Sequence, residues 1–342
     1  MPPSTSEQML NTSWTLHRLS PLHHEKEFHT LLNNPDALKT YANRLRDQLT
    51  GNALASFQVS TSASTEEDTL SRTGALKDCT WETISSLSLQ EPDTPHPENP
   101  HGILVVLAYE NITYKAALLA PSQSTADQKS STYLPLLLTR FPAPLRQTFI
   151  SFLSENFDTY CSALRLSSQF LCTGLASYVD ALTLARDPDS AAARTLLDDV
   201  VKEIQITVAF SAAVAPDLRS LNISIPRGSI ASFLSAGGGS HQSGGSVLSG
   251  LFSYIQKHLA MDLDLAGSDS PARKHVRISK VACGGFVLGA EGKIKLVAQP
   301  RRTGSADDDS AENEKRRPVL RASEVLLHSV IRRCLFGENR RS

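Results

Sequence analysis

Apolar positions along the chain change period several times, and each change marks an element. Trp14 to Leu22 reads as a short strand stopped by Pro21. From Pro35 to Leu49 the spacing is helical: Leu38, Tyr41, Leu45 and Leu49 recur on one side, Asn34 can cap the first turn, and Gly51 is expected to end it. Ala55, Phe57 and Val59 alternate with Ser56, Gln58 and Ser60, the pattern of a half-buried strand. Residues 60–78 are polar and read as a loop, and the proline-rich run Glu91 to Pro100 as a rigid connector. Ile103–Tyr109 and Ile112–Leu119 flank Glu110-Asn111 as an antiparallel hairpin, and Leu134–Leu138 is a short strand before Pro142 and Pro144.

Beyond the prolines the helical period returns. Leu145, Phe149, Phe152, Leu153, Phe157 and Tyr160 share one face. Phe170–Ala185 and Ala191–Lys202 are further helices, followed by strands at Ile204–Phe210 and Leu221–Ile225. Residues 236–246 are Gly/Ser-rich and read as flexible, ahead of a helix over Val247–Leu259. Met261–Leu265, Val276–Val281, Phe286–Leu288 and Ile294–Val297 then form an antiparallel meander. Residues 300–317 are charged and read as a flexible loop, and Leu320–Leu335 is a closing helix. Strands and helices come in runs, which predicts an α+β fold with curved antiparallel sheets and packed helices. An N-terminal α+β part (12–140) and a helical segment with a C-terminal sheet (141–335) are read as one continuous domain.

Composition supports a folded chain: 40% of its 342 residues are hydrophobic and 20% charged. The net charge of −1 excludes a basic nucleic-acid protein as a whole but hides an asymmetry. Residues 271–342 carry net +8 and residues 1–270 net −9, which points to a localised surface for a polyanion or an acidic partner. No secretory signal is visible, and the longest apolar run, Ile103 to Tyr109, is far short of the about 20 residues that span a bilayer. The five cysteines are scattered with no CxxC pair, as in a reduced intracellular protein.

Candidate chemistry is sparse. The Gly-rich segment lacks the lysine of a P-loop, and no GxSxG or HExxH occurs. Asp262 and Asp264 would share a strand face, where a third metal ligand is not evident. The expectation is no enzyme, no cofactor, no metal, no small-molecule substrate and no membrane span. Arg273, Lys274, Arg277, Lys280, Lys293 and Lys295 fall on neighbouring strands, with Lys293 and Lys295 on the face opposite Ile294 and Leu296. Such a stripe can neutralise DNA phosphates; the plain alternative is a solvated sheet face. Lys315-Arg316-Arg317 is a short basic patch of the nuclear-localisation or polyanion-binding type.

The ordered segments resemble the CENP-L family of inner-kinetochore proteins, including its fungal members. The likeness rests on Trp14-Thr-Leu-His-Arg-Leu-Ser-Pro-Leu22, on Leu134-Pro-Leu-Leu-Leu138 with the helix through Phe149, Phe157, Tyr160 and Ala163-Leu164, on Leu221-Asn-Ile-Ser-Ile225, on the helix ending at His258-Leu259, and on Gly292-Lys-Ile-Lys-Leu296. The polar insertions at 60–78, 236–246 and 300–317 depart from the family pattern. The resemblance implies a non-enzymatic subunit of the constitutive centromere-associated network in the nucleus. It would pair with a CENP-N-like protein through the C-terminal sheet and contact CENP-C and the centromeric nucleosome or its DNA. A homodimer of the isolated chain is open. The hairpin at 285–298, with Phe286, Val287, Leu288, Ile294, Leu296 and Val297, is expected to supply the pairing edge. A stand-alone, sequence-independent DNA-binding protein is the alternative.

Overall fold

The computed structural model describes residues 7–25, 27–56, 73–84, 101–121, 130–183, 200–213, 215–229, 233, 243–260, 275–298 and 306–335. The strands are β1 (Ser13–Leu19), β2 (Leu22–His23), β3 (Leu76–Ile84), β4 (Gly102–Tyr109), β5 (Thr113–Leu119), β6 (Ser131–Thr132), β7 (Leu136–Arg140), β8 (Cys161–Ala163), β9 (Ile204–Phe210), β10 (Ser220–Ile225), β11 (Val276–Ala282), β12 (Phe286–Gly289) and β13 (Lys293–Leu296). The helices are α1 (Pro35–Ser56), α2 (Ala143–Phe157), α3 (Ser168–Thr183), α4 (Ser243–Leu259) and α5 (Ala306–Leu335).

One antiparallel sheet runs β10-β9-β11-β12-β13-β1-β7-β5-β4-β3, with β8 also pairing to β1. Its central strand is the first in the chain. One edge of β1 holds β13 through Ser13↔Lys295 and Thr15↔Lys293, and β7 pairs with it through Thr15↔Thr139 to Arg18↔Leu136. The N-terminal strand thus joins the two halves of the sheet. The fold is α+β with an antiparallel sheet, as the runs of strands and helices predict.

Alternation along the strands sorts side chains into two cores. On one face Trp14, Leu16, Leu138, Ile206, Ile278, Phe286, Leu288, Ile294 and Leu296 pack with α3, α4 and α5, including Leu175, Leu251, Leu326 and Val330. On the other, Trp81, Ile103, Val105, Leu118 and Leu137 pack with Leu38, Tyr41 and Leu45 of α1 and Phe149, Phe152 and Phe157 of α2. The second core ends at the middle of the sheet: it contains no residue of β9 to β13.

Several expectations need correction. Helix α1 passes through Gly51, because no left-handed turn follows there, and takes in Ala55; Phe57 and Val59 lie outside the described residues. The loop expected over 60–78 gives way at Leu76 to β3, whose inward Trp81 and Ile84 supply the apolar signal. Tyr160 is not on the buried face of α2: the helix stops at Phe157, Asp158 turns left-handed (φ 47°), and Tyr160 is 73% exposed. Helix α4 already begins at Ser243, inside the expected Gly/Ser loop. Residues 306–317, expected as flexible, are the start of α5, which runs on through Pro318. Met261–Leu265, Asp262, Asp264, Arg273, Lys274 and most of the helix expected at Ala191–Lys202 lie outside the described residues.

Candidate nucleic-acid interface

The outward residues of β9 to β13 are what the second core leaves uncovered. Ser220, Asn222 and Ser224 of β10, Gln205 and Thr207 of β9, Arg277 and Lys280 of β11, and Lys293 and Lys295 of β13 all stand on this face. Their strand neighbours Ile223, Ile206, Ile278, Ile294 and Leu296 are buried on the opposite side. Cross-strand register makes the face continuous: Thr207↔Lys280, Lys280↔Gly289, Gly289↔Lys293 and Lys293↔Thr15 form one row across five strands. The Thr207 hydroxyl donates to Asn222 Oδ1 at 2.8 Å along the same row.

A groove of about 900 Å³ lies on this surface. Its walls carry Arg165, Arg277, Lys280, Lys293 and Lys295 against a single carboxylate, Glu291. Among the described residues none of the five cations takes part in an ion pair. Uncompensated cations on a concave surface concentrate positive potential, so the groove is suited to a polyanion. Ser13, Thr15, Ser167, Ser168, Thr207 and Ser279 add hydroxyls to the lining.

Of the six cations expected from the sequence, four meet here, and Arg273 and Lys274 are outside the described residues. Arg165 was missed. It lies on the link from β8 to α3, pinned on both sides: Leu164 N–H donates to Leu16 O at 3.1 Å and Leu166 N–H to Ala290 O at 2.9 Å. Ile278 N–H donates to Ser168 Oγ at 3.0 Å, which fixes the next residues against β11. No local signal in the sequence marks Arg165, because its place depends on contacts with residues more than a hundred positions away.

The expected partner-strand edge is not free. β12 is hydrogen-bonded to β11 and β13, and β13 to β12 and β1. Phe286, Leu288, Ile294 and Leu296 are core residues, at most 3% exposed, whereas Val287 and Val297 are half-buried. The hairpin at 285–298 therefore cannot add a strand by its edges. The two open edges of the sheet, among the described residues, belong to β3 and β10.

Elsewhere, groups with catalytic potential are held inert. Burial pushes the thiols of Cys79, Cys172 and Cys334 up to about 12 and those of Cys161 and Cys283 up to about 11, so they stay protonated at neutral pH. His17 is buried beside Arg146, and both effects lower its imidazole to about 4. His24 is a structural pin: one ring nitrogen lies 2.8 Å from Phe28 O and the other 2.8 Å from Thr132 Oγ1. Among the described residues no group of three His, Cys, Asp or Glu side chains could hold a metal, and no helix is long and apolar enough to cross a membrane.

These features define an α+β protein built on one large sheet, with helices packed on both faces and a cationic groove where, among the described residues, no helix covers it. The chain matches the centromere protein L (CENP-L) family across residues 8–335, and it belongs to that family. It is thereby a centromere and kinetochore protein. No curated protein matches the chain.

Proposed function

We propose that the chain is a non-enzymatic structural subunit of the inner kinetochore. It pairs with a CENP-N-like protein, works in the nucleus, and helps link centromeric chromatin, with CENP-C and the centromeric nucleosome as neighbours, to the chromosome-segregation machinery. The observation that carries this reading is the bare cationic face of the sheet in a chain of the CENP-L family. On that face Arg165, Arg277, Lys280, Lys293 and Lys295 contact phosphates of duplex DNA without reading bases. Among the described residues no helix projects from it, so the contacts position the complex rather than select sequence.

Partner pairing belongs to β10. The two open edges differ in how well they are guarded. β3 has a register shift between Leu76 and Asp78 and carries Lys77, Asp78 and Glu82. Irregularity and charge of this sort discourage strand addition. β10 (SLNISI) is uncharged, has no proline and pairs in unbroken register from Ser220↔Ala209 to Ile225↔Ile204. An incoming strand finds its backbone donors and acceptors in a regular array there.

Affinity purification of the tagged full-length chain from dividing cells tests the reading. Recovery of a CENP-N-like protein, together with enrichment of the chain on centromeric chromatin, is expected. Recovery of the chain without such a partner and away from centromeres would contradict it.

A further inference from the structure

Gly289 is unexplained by the fold. It is the last residue of β12, at the base of the hairpin turn, and is paired to Lys280 on one side and Lys293 on the other, where a residue with a side chain would suit the sheet better. Its backbone does not adopt a left-handed conformation, and a Cβ there would meet only Lys293 Cβ at 3.6 Å, Lys293 O at 3.8 Å and Ser279 O at 4.0 Å, ordinary van der Waals distances. Gly292 in the same hairpin is the contrast: its φ is +75° and a Cβ would collide with Leu164 O, so the fold demands glycine there. Neither demand exists at Gly289.

The bare face supplies the missing reason. Leu288 points into the core, so position 289 points into the groove. Lys280 and Lys293 flank it in the same cross-strand row, on the strands either side, and Thr207 and Thr15 continue the row outward. Adjacent strands lie about 4.8 Å apart, so the two lysine stems stand about 10 Å apart with no side chain from position 289 between them. That is a slot with a cation on each wall and bare backbone as its floor. A glycine in a strand is a recurrent mark of a place where a ligand or another backbone comes close.

We propose that Gly289 is the floor of a phosphate notch. A phosphate of the duplex DNA backbone settles over Gly289, bracketed by the ammonium groups of Lys280 and Lys293. The absent side chain is what lets the backbone descend far enough for both lysines to reach one phosphate. The inference rests on the DNA reading of the groove and assigns the residue that sets how deep the DNA sits.

The test uses the full-length chain and a mixed-sequence duplex, with Gly289→Val and Gly289→Ala beside the wild type and Lys280→Glu/Lys293→Glu. Valine suits a pleated strand, so Gly289→Val should keep or raise the thermal midpoint. It should nonetheless bind DNA roughly tenfold more weakly, with the log–log salt slope flattened by about 0.9 for one lost contact. Gly289→Ala should show the same signs with a smaller loss, and it decides alone should the valine variant misfold. If both glycine variants bind as the wild type does while the lysine variant binds weakly, the notch is refuted and the DNA reading stands. If the wild type itself does not bind duplex DNA, the reading fails and the notch with it.

Discussion

Phe157 closes the aromatic cluster that holds α1, α2 and β3 together. Its ring centroid lies 4.4 Å from Tyr41 and 6.3 Å from Trp81, and Trp81 in turn packs 6.1 Å from Phe152 and 6.4 Å from Phe149. The side chain is fully buried. Phe157→Ala should cost about 3–5 kcal/mol, read from urea unfolding, because the cavity would open between three elements that cannot all collapse. A loss below about 1 kcal/mol would show that the cluster repacks. His17 sets a pH dependence. Its imidazole is held at about 4 when folded against an ordinary value of 6.5, so between those values the unfolded chain binds more protons. The stabilisation is complete above 6.5 and is lost as pH falls toward 4. His17→Gln should flatten the decline of the urea midpoint across that window; an unchanged pH profile would contradict the assignment. At this scale helical spacing already placed Phe149, Phe152 and Phe157 in a core. It could not place Trp81, whose ring partners come from two separate helices, nor Arg165, whose position is fixed only by long-range backbone contacts.

Elements held together by neighbours in sequence were the legible ones. The β4–β5 hairpin turns at Glu110-Asn111, with Tyr109 N–H donating to Ile112 O at 2.9 Å, and the Asn34 cap accepts at Oδ1 from Ala37 N–H at 3.1 Å. Sheet order was not legible, because β1 joins β13 and β7 across most of the chain and no local pattern encodes such a pairing. That is why a hairpin with apolar alternation looked like an edge and proved central. The consequence is testable by proline. At Ile294, inside the sheet, proline should destabilise the fold by about 3 kcal/mol or more. At β10 the result depends on direction. Antiparallel strands alternate residues whose N–H faces the neighbour with residues whose N–H faces outward, so of Leu221 and Asn222 one faces β9 and the other the open edge. Proline at the outward position should leave the chain folded and abolish co-purification of the CENP-N-like partner. A folded proline variant at each position with pairing intact would remove β10 from the interface.

At the scale of the molecule the large sheet is unevenly clothed. Helices α3 to α5 pack against one face, α1 and α2 pack against the other only as far as β1, and the part of that face in β9 to β13, which no described helix covers, carries the groove. The excess of positive charge after residue 270 was visible in the sequence, as was the shared face of Lys293 and Lys295. Its gathering with Arg165 into a single concavity was not, since that required the crossing of β1 between the two halves. If this face meets DNA phosphates, the salt dependence of duplex binding reports it directly. Full-length wild-type chain and Lys293→Glu/Lys295→Glu are titrated with one mixed-sequence duplex over a series of salt concentrations. Both lysines project away from the core formed by Ile294 and Leu296, so the variant should fold as the wild type does. The predicted result is weaker binding of that duplex, with the log–log slope reduced by about 1.8 for two lost phosphate contacts. Equal affinity and equal slope for the two proteins would contradict the account and leave these lysines as a solvated face.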